Sequence, residues 1–332
     1  MKQLMKIRLN WLFCVTFAVG VIASIALNIV AIRRQSRLAA EIENGAELKR
    51  IQRAMILNLR GPEFDGKSLE SCLQYKPVSF MALKHTAISD CEFIQLSSHP
   101  NLSSVGCIEL ISDKMTSAVF EGFRHFVELS ELEFNLANPI DERIGELRSN
   151  INLQVLDVSS NQLTDRGYAA LGTIRSLVSL DLAAANIDDR HLVRFRKLDQ
   201  LRVLDLHFTA LTGSGMDAIW SLSSLEEVDL TDCIDFRDRG LSAIRHSHSL
   251  RKIDLGGTPI TDDGAKHLLE CEQLEEVNLC GTRVSEGFVG SFSRKRPSVL
   301  VHSDFGSFGG GETGIPKLRN AVGWHGCVVG VP

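Results

Sequence analysis

The sequence lacks the basic excess that nucleic-acid-binding proteins carry: 36 Lys+Arg stand against 41 Asp+Glu, for a net charge of −5. Proline is scarce, with 8 among 332 residues, while 44% of the chain is hydrophobic and 6% aromatic. That composition excludes a collagen and a disordered tail protein. Catalytic signatures are missing as well. There is no Gly-rich phosphate loop, no G-x-S-x-G, no H-E-x-x-H and no Cys-x-x-Cys. His246 and His248 flank Ser247 with no carboxylate or cysteine at ligand spacing, and Trp324-His325-Gly326-Cys327 stands isolated. No enzymatic activity, cofactor, metal or small-molecule substrate is therefore expected.

Charge is unevenly spread. Residues 1–53 carry +6 and residues 54–332 carry −11. From Leu9 to Ile32 no residue is charged over 24 positions. As a helix that run is about 36 Å long, enough for a hydrocarbon core of about 30 Å. Lys2, Lys6 and Arg8 precede it, Arg33, Arg34 and Arg37 follow it, and Trp11 suits an interface. The expectation is an uncleaved single-pass anchor over residues 1–32. The competing reading is a cleaved signal peptide, with Ser24 and Ala26 as the small pair. The body is expected on the exported side, with the cytoplasmic side as the alternative.

The body repeats itself. Unit starts fall at Ala54, Val78, Leu102, Leu129, Leu153, Leu177, Leu201, Leu225, Leu250 and Leu274, with spacings of 24 save for one 27 and one 25. A last strand is expected at Val299-Leu300-Val301. Within one unit, Leu201, Leu204 and Leu206 alternate as a strand does, Leu211 fills a turn, and Met216 and Ile219 are one helical turn apart. Leu180, Leu182, Ile187, Leu192 and Phe195 repeat the pattern one unit earlier. A single unit cannot bury its apolar face; stacked units bury a continuous core.

Polar positions recur too. Asn161, Thr209, Thr258 and Thr282 share one turn position, where Ala185 and Cys233 should serve less well. Ser89, Thr164 and Thr261 are expected N-caps. Gly167, Gly215, Gly240 and Gly264 recur at one offset, for tight packing or an unusual φ. The cysteines Cys72, Cys91, Cys107, Cys233, Cys271 and Cys280 fall at unmatched offsets, so no disulfide framework is expected.

On these residues the body resembles bacterial leucine-rich-repeat proteins with 24-residue units. It is similar to the ribonuclease-inhibitor-like and cysteine-containing repeat classes over about residues 54–304. The resemblance implies an α/β solenoid, with a parallel sheet on the concave face and helices on the convex face, that binds other macromolecules. No F-box-like segment precedes the repeats, and coil three is three residues longer, with Gly106-Cys107 and FEGFRHF disturbing the pattern. Residues 33–53 are expected to link and cap, through Leu38, Ile42, Leu48 and Ile51, and residues 305–332 to form a Gly-rich flexible tail.

The outward position between the two strand leucines reads Asn58, Ala82, Gly106, Glu133, Asp157, Asp181, Asp205, Asp229, Asp254 and Asn278. Two readings stand: a framework position satisfied by local neighbours, or an acidic stripe that attracts a basic protein partner. A row of metal sites is disfavoured, since a flat stripe offers few oxygens per ion. Nearby, Arg202, Arg251 and Lys252 alternate with Glu226, Glu227, Glu275 and Glu276, while Phe208 beside His207 offers an aromatic anchor. The candidate partner-binding residues are thus Glu133, Asp157, Asp181, Asp205, Asp229, Asp254, His207 and Phe208. The function expected is a membrane-tethered recognition scaffold. The alternatives are a structural cell-envelope protein and an adaptor or inhibitor-like subunit of an enzyme.

Overall fold

The structure is a computed structural model and describes residues 55–309, apart from residues 75, 137 and 138. The expected anchor over residues 1–32 and linker over residues 33–53 lie outside the described residues. Among the described residues no helix is long and apolar enough to cross a membrane.

One sheet of twelve strands runs in chain order. Its strands are β1 (Met55–Arg60), β2 (Val78–Lys84), β3 (Cys107–Ser112), β4 (Glu131–Leu136), β5 (Val155–Asp157), β6 (Ser179–Asp181), β7 (Val203–Asp205), β8 (Glu227–Asp229), β9 (Lys252–Asp254), β10 (Glu276–Asn278), β11 (Leu300–Ser303) and β12 (Gly306–Phe308). The first eleven are mutually parallel. Helical segments return the chain between them. Several are a single α or 3-10 turn, such as Asp217–Trp220 and Ile244–His246.

The strands begin later than the repeat leucines. Leu153, Leu177, Leu201 and Leu225 lie two residues upstream of β5–β8, yet each is wholly buried. They anchor the entry to the strand, and Leu204 and Leu206 follow on the same inward side, both buried. Met216, Ile219 and Trp220 close the core from the helical side, and the Trp220 indole N–H donates to the Gly240 carbonyl at 2.7 Å. The disturbed coil is filled with rings. Phe120, Phe123 and Phe126 of FEGFRHF pack with Phe93 and Phe134, the Phe120–Phe134 pair edge-on at 5.1 Å.

The recurring polar residues have defined tasks. The hydroxyls of Thr209, Thr258 and Thr282 donate to the carbonyls of Leu206, Leu255 and Leu279. Buried Asn161 accepts from the Leu136 N–H and donates to the carbonyls of Phe134 and Ser159. Ser89, Thr164 and Thr261 cap their helices as expected. A second device was not visible in the repeat pattern: an Asp at the first position of several return helices reaches the next coil. Asp90 accepts from the N–H and hydroxyl of Thr116, Asp189 from those of Thr212, Asp238 from those of Thr261, and Asp262 from those of Ser285. These bonds stitch neighbouring coils on the helical side.

One expectation is decided between its two alternatives, and two need correction. A Cβ on Gly167 would stand 2.4 Å from the Ile140 carbonyl oxygen and one on Gly215 2.3 Å from that of Asp189, so close packing, not a positive φ, explains these glycines. Residues 305–308 do not belong to a tail: β12 pairs antiparallel with β11 and covers its free edge. The cysteines form no bridges between coils at Cys72, Cys91, Cys107, Cys233 and Cys271, which are free, but Cys280 is disulfide-bonded.

Candidate functional site

Alternation along each strand sends every second residue to the open face of the sheet. Its central column is in continuous register: Ala82, Glu109, Glu133, Asp157, Asp181, Asp205, Asp229, Asp254, Asn278 and His302 are successive Cα partners. Glu109, not Gly106, holds the place in the longer coil. The three extra residues lie before β3, where they displace the strand from its leucine, so counting from the unit start lands short. Seven neighbouring coils therefore present a carboxylate at one height.

The Asp residues have a local task. The Oδ1 atoms of Asp157, Asp181, Asp205, Asp229 and Asp254 accept from the backbone N–H two residues on, at 2.8–2.9 Å. Asn278 does the same for Cys280 at 3.0 Å. This turn ends the strand, and β5–β10 are three residues each. Ala82 has no acceptor and the Glu109 carboxylate pairs with Lys84; β2–β4 run six or seven residues.

Immediately after the turn the chain enters the left-handed region. Ser160, Ala184, Phe208 and Asp232 have φ between +53° and +58°, and the same place in the next two coils is Gly257 and Gly281. The Phe208 N–H donates to the Thr231 carbonyl and the Asp232 N–H to that of Gly256, so the conformation is held by the neighbouring coil.

Burial divides the candidate residues. Glu133, Asp157 and Asp181 are partly exposed, whereas Asp205, Asp229 and Asp254 are buried, at 1%, 9% and 1% exposure. The carboxylates of those three are thus turned into the turns they close instead of standing free on the surface. Burial, joined by the charges of Asp157 and Asp205, pushes the Asp181 carboxyl up to about 7. Burial likewise pushes Asp229 up to about 6 and raises Asp254. His207 Nδ1 lies 2.7 Å from Asp205 Oδ1, a hydrogen bond that raises the imidazole above its ordinary value. One donor atom each from Asp205, His207 and Asp229 lie within 4.8 Å of one another.

The other charges of this face are matched across coils. Arg202 grips Glu226 with two hydrogen bonds at 2.9 and 2.7 Å, Arg251 pairs with Glu275, and Lys252 stands between Glu227 and Glu276. Phe208 differs. It is 57% exposed, stacks edge-on against His207 at 5.2 Å, and borders an open depression shared with Asp232 and Ile234, itself 70% exposed.

Residues 149–172 and 246–269 match a family model described as a leucine-rich repeat. The fold is a leucine-rich-repeat solenoid. No curated relative matches the sequence. Among solved structures the solenoid is similar to an internalin from Listeria monocytogenes, at 16% identity over 72% of this chain and 69% of that one, with a TM-score of 0.49. It is also similar to a protein from Bacteroides fragilis, at 15% identity over 71% and 76%, with a TM-score of 0.47. A third similar structure is internalin C2 of Listeria monocytogenes, at 18% identity over 61% and 82%, with a TM-score of 0.46.

Proposed function

We propose that this leucine-rich-repeat protein is a non-catalytic recognition scaffold, tethered to a membrane through residues 9–32 with its body exported, that docks a protein partner on the open face of its sheet. One observation carries the reading. Phe208 is a large exposed aromatic held at a φ of +55°, in a place that two later coils fill with glycine. A left-handed conformation costs roughly 1–2 kcal/mol for a residue with a Cβ. Ser160, Ala184 and Asp232 take the same conformation in neighbouring coils, so what sets Phe208 apart is the large aromatic that stands exposed there, with little packing in return in the free protein. Ile234 beside it widens the apolar contact, and buried aromatics are frequent anchors of interfaces.

The carboxylate column supports a basic partner. Its open members, Glu133, Asp157 and Asp181, lie on successive strands, and the field of the column strengthens as Asp181 and Asp229 lose their protons between about pH 5 and 8. Capture of the partner is therefore expected to tighten with rising pH and to weaken as salt is added.

The decisive variant is Phe208→Gly. Stability should stay level or rise by up to about 1 kcal/mol, because glycine takes the left-handed conformation freely. Partner capture should fall at least about tenfold. The measurement is crosslinking in the native cells from a photoreactive residue placed at 208, set against one at Val127, also exposed. Equal yields from the two positions, or unchanged capture by Phe208→Gly, would remove the docking assignment.

A further inference from the structure

We infer that Asp205, His207 and Asp229 form a binding site for one divalent transition-metal ion, with Zn2+ the ion best suited to it. The inference does not depend on the docking reading. Three features converge. First, the donors come from paired backbone positions: Asp205 on β7 is the register partner of Asp229 on β8, and His207 follows Asp205 by two residues on the same side. One ligand atom from each lies within 4.8 Å of the other two. Second, Asp205 is 1% exposed, and its Oδ2 is buried without a hydrogen-bond partner, while Oδ1 already serves the His207 backbone and ring. A buried carboxylate oxygen that accepts nothing lacks the compensation such a group needs, and a cation supplies it. Third, the His207 side chain is 26% exposed, so an ion can enter from the open face of the sheet.

The donor chemistry selects the ion. An imidazole nitrogen with two carboxylate oxygens suits Zn2+ and its neighbours better than Ca2+, which takes six to eight oxygens. Zinc bonds of about 2.0–2.1 Å place tetrahedral ligands roughly 3.3 Å apart. The side chains must therefore close by about an ångström or somewhat more, within the reach of small χ rotations. Binding displaces the proton that His207 Nδ1 shares with Asp205: the imidazolium gives it up to solvent, and the neutral ring carries its one proton on Nε2 instead. Three protein ligands leave the fourth position to water. Another histidine shows what the geometry must avoid. His191 also meets two carboxylates, Asp165 at Nε2 and Asp188 at Nδ1, at 3.0 and 3.1 Å, but from different edges of the ring, so they do not converge on one ion.

The test is Zn2+ titration of the full-length, detergent-solubilised chain by isothermal calorimetry, with Co2+ as a spectroscopic substitute. His207→Ala removes the nitrogen donor; Asp229→Asn keeps the acceptor that closes its turn and so guards against loss of fold. Each should remove one equivalent of Zn2+ or weaken it at least about tenfold, and should abolish the matching Co2+ visible band. His302→Ala, at a histidine that lies on the same column and bonds to Glu276, should leave that equivalent intact. Circular dichroism confirms the fold of each variant. A wild-type chain with no saturable Zn2+ binding would overturn the assignment. So would His207→Ala and Asp229→Asn binding as many equivalents, as tightly, as wild type.

Discussion

Asp254→Ala is expected to destabilise the solenoid by about 2–4 kcal/mol, and Asp254→Asn by roughly half of that. Asp254 is 1% exposed; its Oδ1 accepts from the Gly256 N–H at 2.8 Å, and both its oxygens accept from the Asn278 side-chain amide at 2.9 and 3.0 Å. Alanine strands those buried donors, each at a cost of roughly 1–3 kcal/mol. Asparagine keeps an oxygen for Gly256, as Asn278 does for Cys280 one coil further on, and gives up one of the two bonds to Asn278. Urea unfolding followed by circular dichroism measures the difference. Equal losses for alanine and asparagine would show that the acceptor does not close the turn.

Asp181→Asn is expected to stabilise the protein at pH 8 by about 2–4 kcal/mol and to change little at pH 4. A carboxyl whose pKa is raised on folding favours the folded state while it is protonated. That contribution is complete below the unfolded value of about 4. It is lost as pH rises toward about 7, where the Asp181 carboxyl ionises in the fold under burial and the charges of Asp157 and Asp205. His207 works in the same direction: its stabilising proton is bound below about 6.5 and is lost as pH rises through its raised value. Other carboxyls run the opposite way. The imidazoles of His191 and His302 hold Asp165 and Glu276 below the usual range, and their stabilisation is lost on acidification. Wild type and variant share all of these groups, so the difference between their melting temperatures at each pH isolates Asp181. A gain independent of pH would refute the assigned cause. At about 2–4 °C per kcal/mol the effect at pH 8 is readily measured.

The fold was legible because its signal is redundant. Leucines near 24-residue spacing mark the core many times over, and a shift in one coil, such as the three residues before β3, is outvoted by the others. The candidate residues were legible as a column for the same reason, since Asp157, Asp181, Asp205 and Asp229 keep one offset. Their division was not. Whether an outward aspartate stands free depends on where its Oδ1 turns, and the N–H that captures it belongs to a bend whose φ values the letters do not show. Of the two tasks the repeated glycines suggest, the structure keeps close packing: those at the shared offset, such as Gly167 and Gly215, relieve contacts, while the left-handed position is filled by Ser160, Ala184, Phe208 and Asp232 as readily as by Gly257.

The letters alone determined that a strand and a return segment alternate about every 24 residues and that leucine, isoleucine and phenylalanine fill the interior, because apolar periodicity acts locally and recurs in each unit. Only the stacked structure decided which carboxylates are buried, that Asp205 and Asp229 meet beside His207, and that Phe208 is strained and exposed. Those properties arise between coils, from groups some 24 residues apart whose distances and burial exist only once the sheet has assembled.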